Sequence, residues 1–305
     1  MRLFKNAVLV LSTGYIFVYF SEHLFWARIR PGDSLAGWAG AWMAYSFLAF
    51  VFLSLLTSFH VKTIWPLFLA GAAFGWLAEG VIVQTTYESL PLSISFTGLA
   101  WHALITVWIG WYGLQKSFAS SDPLATLKLS TLIGACYGLW AISWWVEPDG
   151  GVATLAEFAR YSMLTTIPVV IAYYLAHWSL SEAFMPGRLV KIMISAVFIL
   201  YFLFVTVPTS PPAAIILPVL LGLAFLGLSR NRQTFQEGSV LDQFNKPVRL
   251  WKIMSLLILP AAGTLVYGIA TAWNLQWHTN WIFYAVVTPL GFILFGVSLY
   301  KTLQN

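Results

Sequence analysis

Ten runs of about 17 to 25 apolar residues, joined by short polar connectors, constrain this chain more than any other feature. Each run is long enough to cross a hydrocarbon layer of about 30 Å as a helix. Within hydrocarbon only a helix or a closed barrel satisfies its own backbone hydrogen bonds. The runs therefore predict an all-α fold, a polytopic integral membrane helix bundle of about 10 transmembrane helices. They lie near Asn6 to Phe25, Leu35 to Leu55, Thr63 to Val83, Leu92 to Leu114, Leu127 to Val146, Leu155 to His177, Leu189 to Val207, Ala213 to Leu228, Trp251 to Ala272 and Trp281 to Tyr300. With 59% hydrophobic and 9% charged residues among 305, a soluble globule is excluded. Residues 1–305 read as a single membrane domain, and its longest connector is a basic, cytoplasmic loop over 229–250 that is expected to lie solvated or against anionic headgroups.

Basic residues mark the cytoplasmic side of membrane proteins. With the N-terminus inside, the alternation of ten helices places 13 Lys and Arg on the cytoplasmic side and leaves Arg28, Arg30 and Arg160 outside, which accounts for all 16. Both termini are thus expected to be cytoplasmic, in the cell (plasma) membrane. The basic N-terminal run lacks a small-x-small cleavage site and reads as an uncleaved first helix. The net charge of +5 follows from this orientation; no clustered basic and aromatic stretch points to nucleic acid, and the expected partner is the lipid bilayer. The one cysteine, Cys136, lies within an apolar run and reads as a structural thiol.

Seven of the eleven acidic residues, Glu22, Asp33, Glu79, Glu88, Glu147, Asp149 and Glu157, fall on the expected outer side. Glu79 lies about one turn inside the third run, where a charged carboxylate costs a few kcal/mol unless paired, hydrated or protonated. His102 lies about 15 Å along the fourth run, on a stripe with Gly98, Thr106 and Gly110 that should face the bundle. Glu79 and His102 are the candidate catalytic pair. Trp76, Tyr87, Trp101, Glu22 and His23 are the candidate substrate-binding residues around them. WWVEPDGG reads as an interfacial tryptophan belt and turn, Glu157 and Arg160 as a helix-surface ion pair, and Asp122-Pro123 as a helix N-cap and first helical residue. Prolines 168, 218, 260 and 289 fall inside predicted helices, where kinks can open a cavity. GAAFGW at Gly71 is echoed by GACYGL at Gly134, which reads either as a duplicated hairpin or as the small-residue spacing of tight helix packing.

The five histidines form no HExxH or paired HxxxH motif, and no Walker, GxGxxG or GxSxG signature is present, so no metal and no cofactor is expected. The order Glu79, Gly80, Tyr87, Pro91, Ala100, Trp101 loosely resembles a stretch of the membrane carotenoid hydratases and cyclases, over less than a tenth of the chain and without their Gly-rich segment; it assigns no family. The ten-helix plan is similar to drug and metabolite transporters, without their five-helix repeat. Three readings follow: an acid/base enzyme acting on a lipid or isoprenoid, a proton-coupled transporter of a small metabolite, or a non-catalytic membrane subunit.

Overall fold

The computed structural model describes residues 1–147, 150–180, 183–235 and 237–304. All regular structure among them is helical, and ten helices are long and apolar enough to span a membrane: α1 (Arg2–Trp26), α2 (Leu35–Ser58), α3 (Ile64–Ile82), α4 (Ile94–Phe118), α5 (Ala125–Trp145), α6 (Leu155–Ser179), α7 (Arg188–Thr209), α8 (Ala213–Thr234), α9 (Leu250–Ala272) and α10 (Thr279–Gln304). Asp149 and Glu182 lie outside the described residues, so the WWVEPDGG reading is followed only in part. α3 forms the centre, with 83% of its most apolar stretch buried, whereas α7 and α10 bury 11% and 17% and flank the bundle. Both chain termini lie at one end, here the terminal end; the opposite end is the far end.

Small residues set which helices approach closely. A Cβ on Gly75 of α3 would stand 2.1 Å from the Gly98 carbonyl of α4, so only glycine permits this crossing. Glu79 and His102 each follow one of these glycines by four residues, about one turn. The backbone contact therefore sets the distance between the two side chains. In α5, Gly134 and Gly138 meet the backbone carbonyls of Leu259 and Gly263 in α9. The two echoed motifs thus pack on different partners, one on the next helix and one on a distant one, and tight packing accounts for both.

Four segments depart from regular α turns into wider π turns: Tyr19–His23 in α1, Ala78–Ile82 in α3, Ile94–Gly113 in α4 and Phe202–Thr206 in α7. None contains a proline, so the irregularities nearest the polar residues are widened turns and not the expected proline kinks. Such turns loosen the helical bonding pattern, and side chains cover the carbonyls. Trp101 Nε1 donates to Phe20 O at 3.1 Å, Trp76 Nε1 to Ile94 O at 3.0 Å, Tyr87 Oη to Gly80 O at 2.7 Å, Thr206 Oγ1 to Val81 O at 2.9 Å, and Tyr173 Oη to Gly110 O at 2.9 Å.

Several local expectations change. The first helical residue of α5 is Ala125, not Pro123; Asp122 instead accepts the Leu124 N–H at 2.8 Å and pairs with Lys128 at 3.0 Å, closing a turn before the helix. These two bonds hold the Asp122 carboxyl below its ordinary pKa. Glu157 does not pair with Arg160: its carboxylate accepts the Thr154 N–H at 2.8 Å in a capping box, where the exposed backbone donor of the helix start competes for it. The tryptophans of WWVEPDGG are not a simple belt, since Trp144 donates inward to Phe25 O at 2.9 Å, beside Trp140 at 2.6 Å, and Trp145 donates to Tyr267 Oη at 2.7 Å. The 229–250 connector is not simply solvated. It carries a one-turn helix, Val240–Phe244, whose Val240, Leu241 and Phe244 are buried, with Phe244 against Trp111 and Tyr112. Burying those three side chains outweighs the polar character of the flanking residues.

Candidate functional site

The widened turns of α1, α3 and α4 meet near the far end, and each presents polar side chains there. Ser21, Glu22 and His23 come from α1, Glu79 from α3, His102 and Thr106 from α4. π turns occur frequently at functional sites because they redirect side chains without ending the helix. Ser21, Glu79, His102 and Thr106 form one bonded chain, with Glu22 and His23 beside it. His102 Nε2 lies 2.7 Å from Glu79 Oε1, and His102 Nδ1 lies 2.9 Å from Ser21 Oγ. Ser21 Oγ lies 3.0 Å from Thr106 Oγ1, and Thr106 Oγ1 also reaches Trp101 O at 3.2 Å. The second carboxylate oxygen, Glu79 Oε2, accepts from Thr85 Oγ1 in the loop after α3.

Both members of the pair are buried, Glu79 at 8% and His102 at 2% exposure. At such burial an isolated carboxylate is costly, and the imidazole and hydroxyl partners offset that cost. A carboxylate accepts only, so with neutral His102 the proton sits on Nε2 and points at Glu79, while Nδ1 accepts from Ser21. The ring of Phe74 packs against His102 edge to face, with centroids 5.3 Å apart. Together these contacts fix the imidazole from three sides.

The pair borders a chamber of about 130 Å³ lined by Ser21, Glu22, Trp26, Thr85, Trp101 and His102, among others. Glu22 reaches it with both oxygens occupied, Oε1 by Tyr45 Oη at 2.7 Å and Oε2 by Trp26 Nε1 at 3.2 Å. Of the candidate substrate-binding residues, Glu22 and Trp101 line this chamber. His23 lines a neighbouring one of about 140 Å³ that shares Glu22 and Trp26 as walls. Trp76 and Tyr87 line neither. Trp76 faces away toward Phe295 of α10, and Tyr87 uses its hydroxyl on Gly80 O. Burial pushes the Tyr87 phenol up to about 12, so it remains a donor at neutral pH.

Sequence reasoning did not find Ser21, Thr85, Tyr45, Trp26 and Trp38. Ser21 adjoins Glu22 and could have been flagged by that neighbour; Tyr45 and Trp38 sit in an apolar run with no local signal. A lateral recess of about 460 Å³ adjoins the first chamber at Trp101, its walls formed by α1, α4, α5 and α10 and including Leu104, Ile133, Cys136 and Leu290. Cys136 is exposed in this recess instead of buried between helices.

Fold and site together define a multi-pass helical membrane protein with a buried polar cluster near one end of the bundle. No family model matches the chain, and no curated protein or solved structure matches it.

Proposed function

We propose that this chain is a membrane-embedded acid/base enzyme acting on a lipid or isoprenoid that it takes from within the bilayer. The observation that carries this reading is the position of Trp101, whose side chain borders both the Glu79–His102 chamber and the apolar recess. An apolar substrate body lying in the recess brings its reacting end to Trp101. A proton then passes between the Glu79–His102 pair and that end, with Ser21 and Thr106 keeping the imidazole oriented. General acid/base catalysis of this kind contributes about 10² to 10⁴ in rate. The rings of Phe25 and Trp101 around the chamber favour positive charge developing on the substrate. The 13-to-3 distribution of basic residues supports cytoplasmic termini and, with them, a chamber that opens in the outer half of the bilayer.

The test is untargeted lipid mass spectrometry on cells lacking the gene, complemented with wild type or with Glu79→Gln at matched expression. The expected result is one lipid or isoprenoid species that shifts by a defined mass and is restored by wild type alone. Coincident profiles would overturn the enzyme reading. One observation favours a second reading, proton-coupled transport of a small metabolite: Glu22 borders both polar chambers and links them. In that case Glu79→Gln abolishes proton-coupled uptake into proteoliposomes. A non-catalytic subunit remains if Glu79→Gln and His102→Ala change only stability or assembly.

A further inference from the structure

The chamber of about 140 Å³ beside the acid/base pair has walls of a different kind. His23, Trp38 and Tyr161, from α1, α2 and α6, stand mutually edge to face. Their centroids are separated by 5.3 Å (His23 to Trp38), 6.1 Å (His23 to Tyr161) and 6.3 Å (Trp38 to Tyr161), with interplanar angles of 76°, 75° and 72°. Three near-perpendicular rings form the corner of a box. Trp26 adds a further wall, and the Arg30 guanidinium already lies 4.1 Å from the centre of its ring while pairing with Asp33 at 3.0 Å.

Two polar groups lining the chamber are incompletely matched. Glu22 accepts two neutral hydrogen bonds, and no cation among the described residues forms an ion pair with it. His23 is 5% exposed; its Nδ1 lies 3.2 Å from Tyr161 Oη, and its Nε2 makes no hydrogen bond among the described residues. A partly buried carboxylate without a counter-charge favours a cation, and ring faces add to that preference.

We infer that this chamber binds a compact alkylammonium group, with the aromatic corner as its cage and Glu22 as its counter-ion. The alternatives fit less well. An anion would face Glu22 and Asp33, a neutral apolar group would leave Glu22 without a counter-charge, and a hard metal ion calls for several oxygen ligands where one unpaired carboxylate is present. At about 30 Å³ per water-sized group, a volume of 140 Å³ takes about five heavy atoms, the size of tetramethylammonium. The site does not depend on the acid/base reading, since neither Glu79 nor His102 lines it. The same chemistry occurs in choline headgroups and in free organic cations.

The experiment is saturation-transfer NMR of tetramethylammonium on the full-length protein in phosphatidylglycerol nanodiscs. The methyl protons should saturate, while neopentyl alcohol, an uncharged molecule of similar shape, should not. Glu22→Gln and Trp38→Leu should each weaken binding about tenfold. Arg30→Gln should strengthen it, because the competing guanidinium leaves Trp26, and this variant keeps the test decisive if Glu22→Gln fails to fold. Glu79→Gln should leave the signal unchanged, which separates this inference from the proposed chemistry. Adding phosphatidylcholine then identifies the source: suppression of the signal assigns a lipid headgroup, and persistence assigns a soluble cation. Absence of saturation in wild type, equal saturation of neopentyl alcohol, or no response to the three cage substitutions would overturn the site.

Discussion

Two polar clusters, one at each end of the bundle, use their side chains in different ways. At the terminal end, polar groups bond to backbone carbonyls where helices finish: Lys252 Nζ to Ser120 O at 2.6 Å, and Asn231 Nδ2 to Phe59 O and His60 O at 2.7 and 3.1 Å. These carbonyls lack partners within their own helices, and the side chains supply them. At the far end, Glu79, His102, Ser21 and Thr106 bond chiefly to one another, beside a chamber. A side chain that completes a helix end fastens the fold, whereas a ring of side chains around a void holds reactive groups in fixed geometry.

This comparison can be broken in three places. The largest effect is expected for His102→Ala, which leaves Glu79 buried beside only Thr85. Loss of one partner of a buried pair costs about 3 to 5 kcal/mol. Denaturation in bicelles measures it, and the double variant Glu79→Gln with His102→Ala should recover part of the loss. A loss below about 1 kcal/mol, the scale of a neutral hydrogen bond, would show that the pair behaves as an ordinary membrane contact. The next effect belongs to the terminal end. Asn231→Leu should cost about 1 to 3 kcal/mol by leaving two carbonyls short of a donor. It should leave any turnover at the far end unchanged once folded protein is normalised. A specific loss of turnover would mean that the two ends are coupled.

The smallest effect concerns Asp33, at the rim of the second chamber. Burial alone would raise its carboxyl, but the Arg30 backbone N–H and guanidinium outweigh burial and hold it below the ordinary value. A lowered folded pKa means that its contribution is complete above the unfolded carboxylate value of about 4 and is lost as pH falls through the folded value. Thermal melting of wild type should therefore decline more steeply below about pH 4 than that of Asp33→Asn. Parallel pH profiles would show that the pair adds nothing to folding.

The comparison also shows why the site was only partly legible in the sequence. Glu79 and His102 are conspicuous because a titratable side chain in an apolar run is rare, and Gly98 and Thr106 on the same face indicate that His102 turns inward. Their separation was not legible. Counted along regular helices, Glu79 is shallow and His102 lies near the middle, yet widened turns and the Gly75–Gly98 approach bring them to 2.7 Å. Trp76 and Tyr87 are close in sequence to Glu79 but fall outside the chamber, because their polar atoms cover carbonyls of the widened turns. Tyr45 and Trp38 carry no local mark at all. Their roles arise only from α2 packing against α1 and α6.

What this sequence determined by itself was the number of membrane-spanning helices, their approximate bounds and the presence of polar residues that hydrocarbon cannot accept. Those properties follow from transfer energies and from the backbone's need for internal hydrogen bonds, and both act locally along the chain. The tertiary structure alone decided which helices touch, where the turns widen, and that two polar chambers share Glu22 as a common wall. Those outcomes depend on the close approach of residues far apart in sequence, and on side chains from one helix covering carbonyls on another.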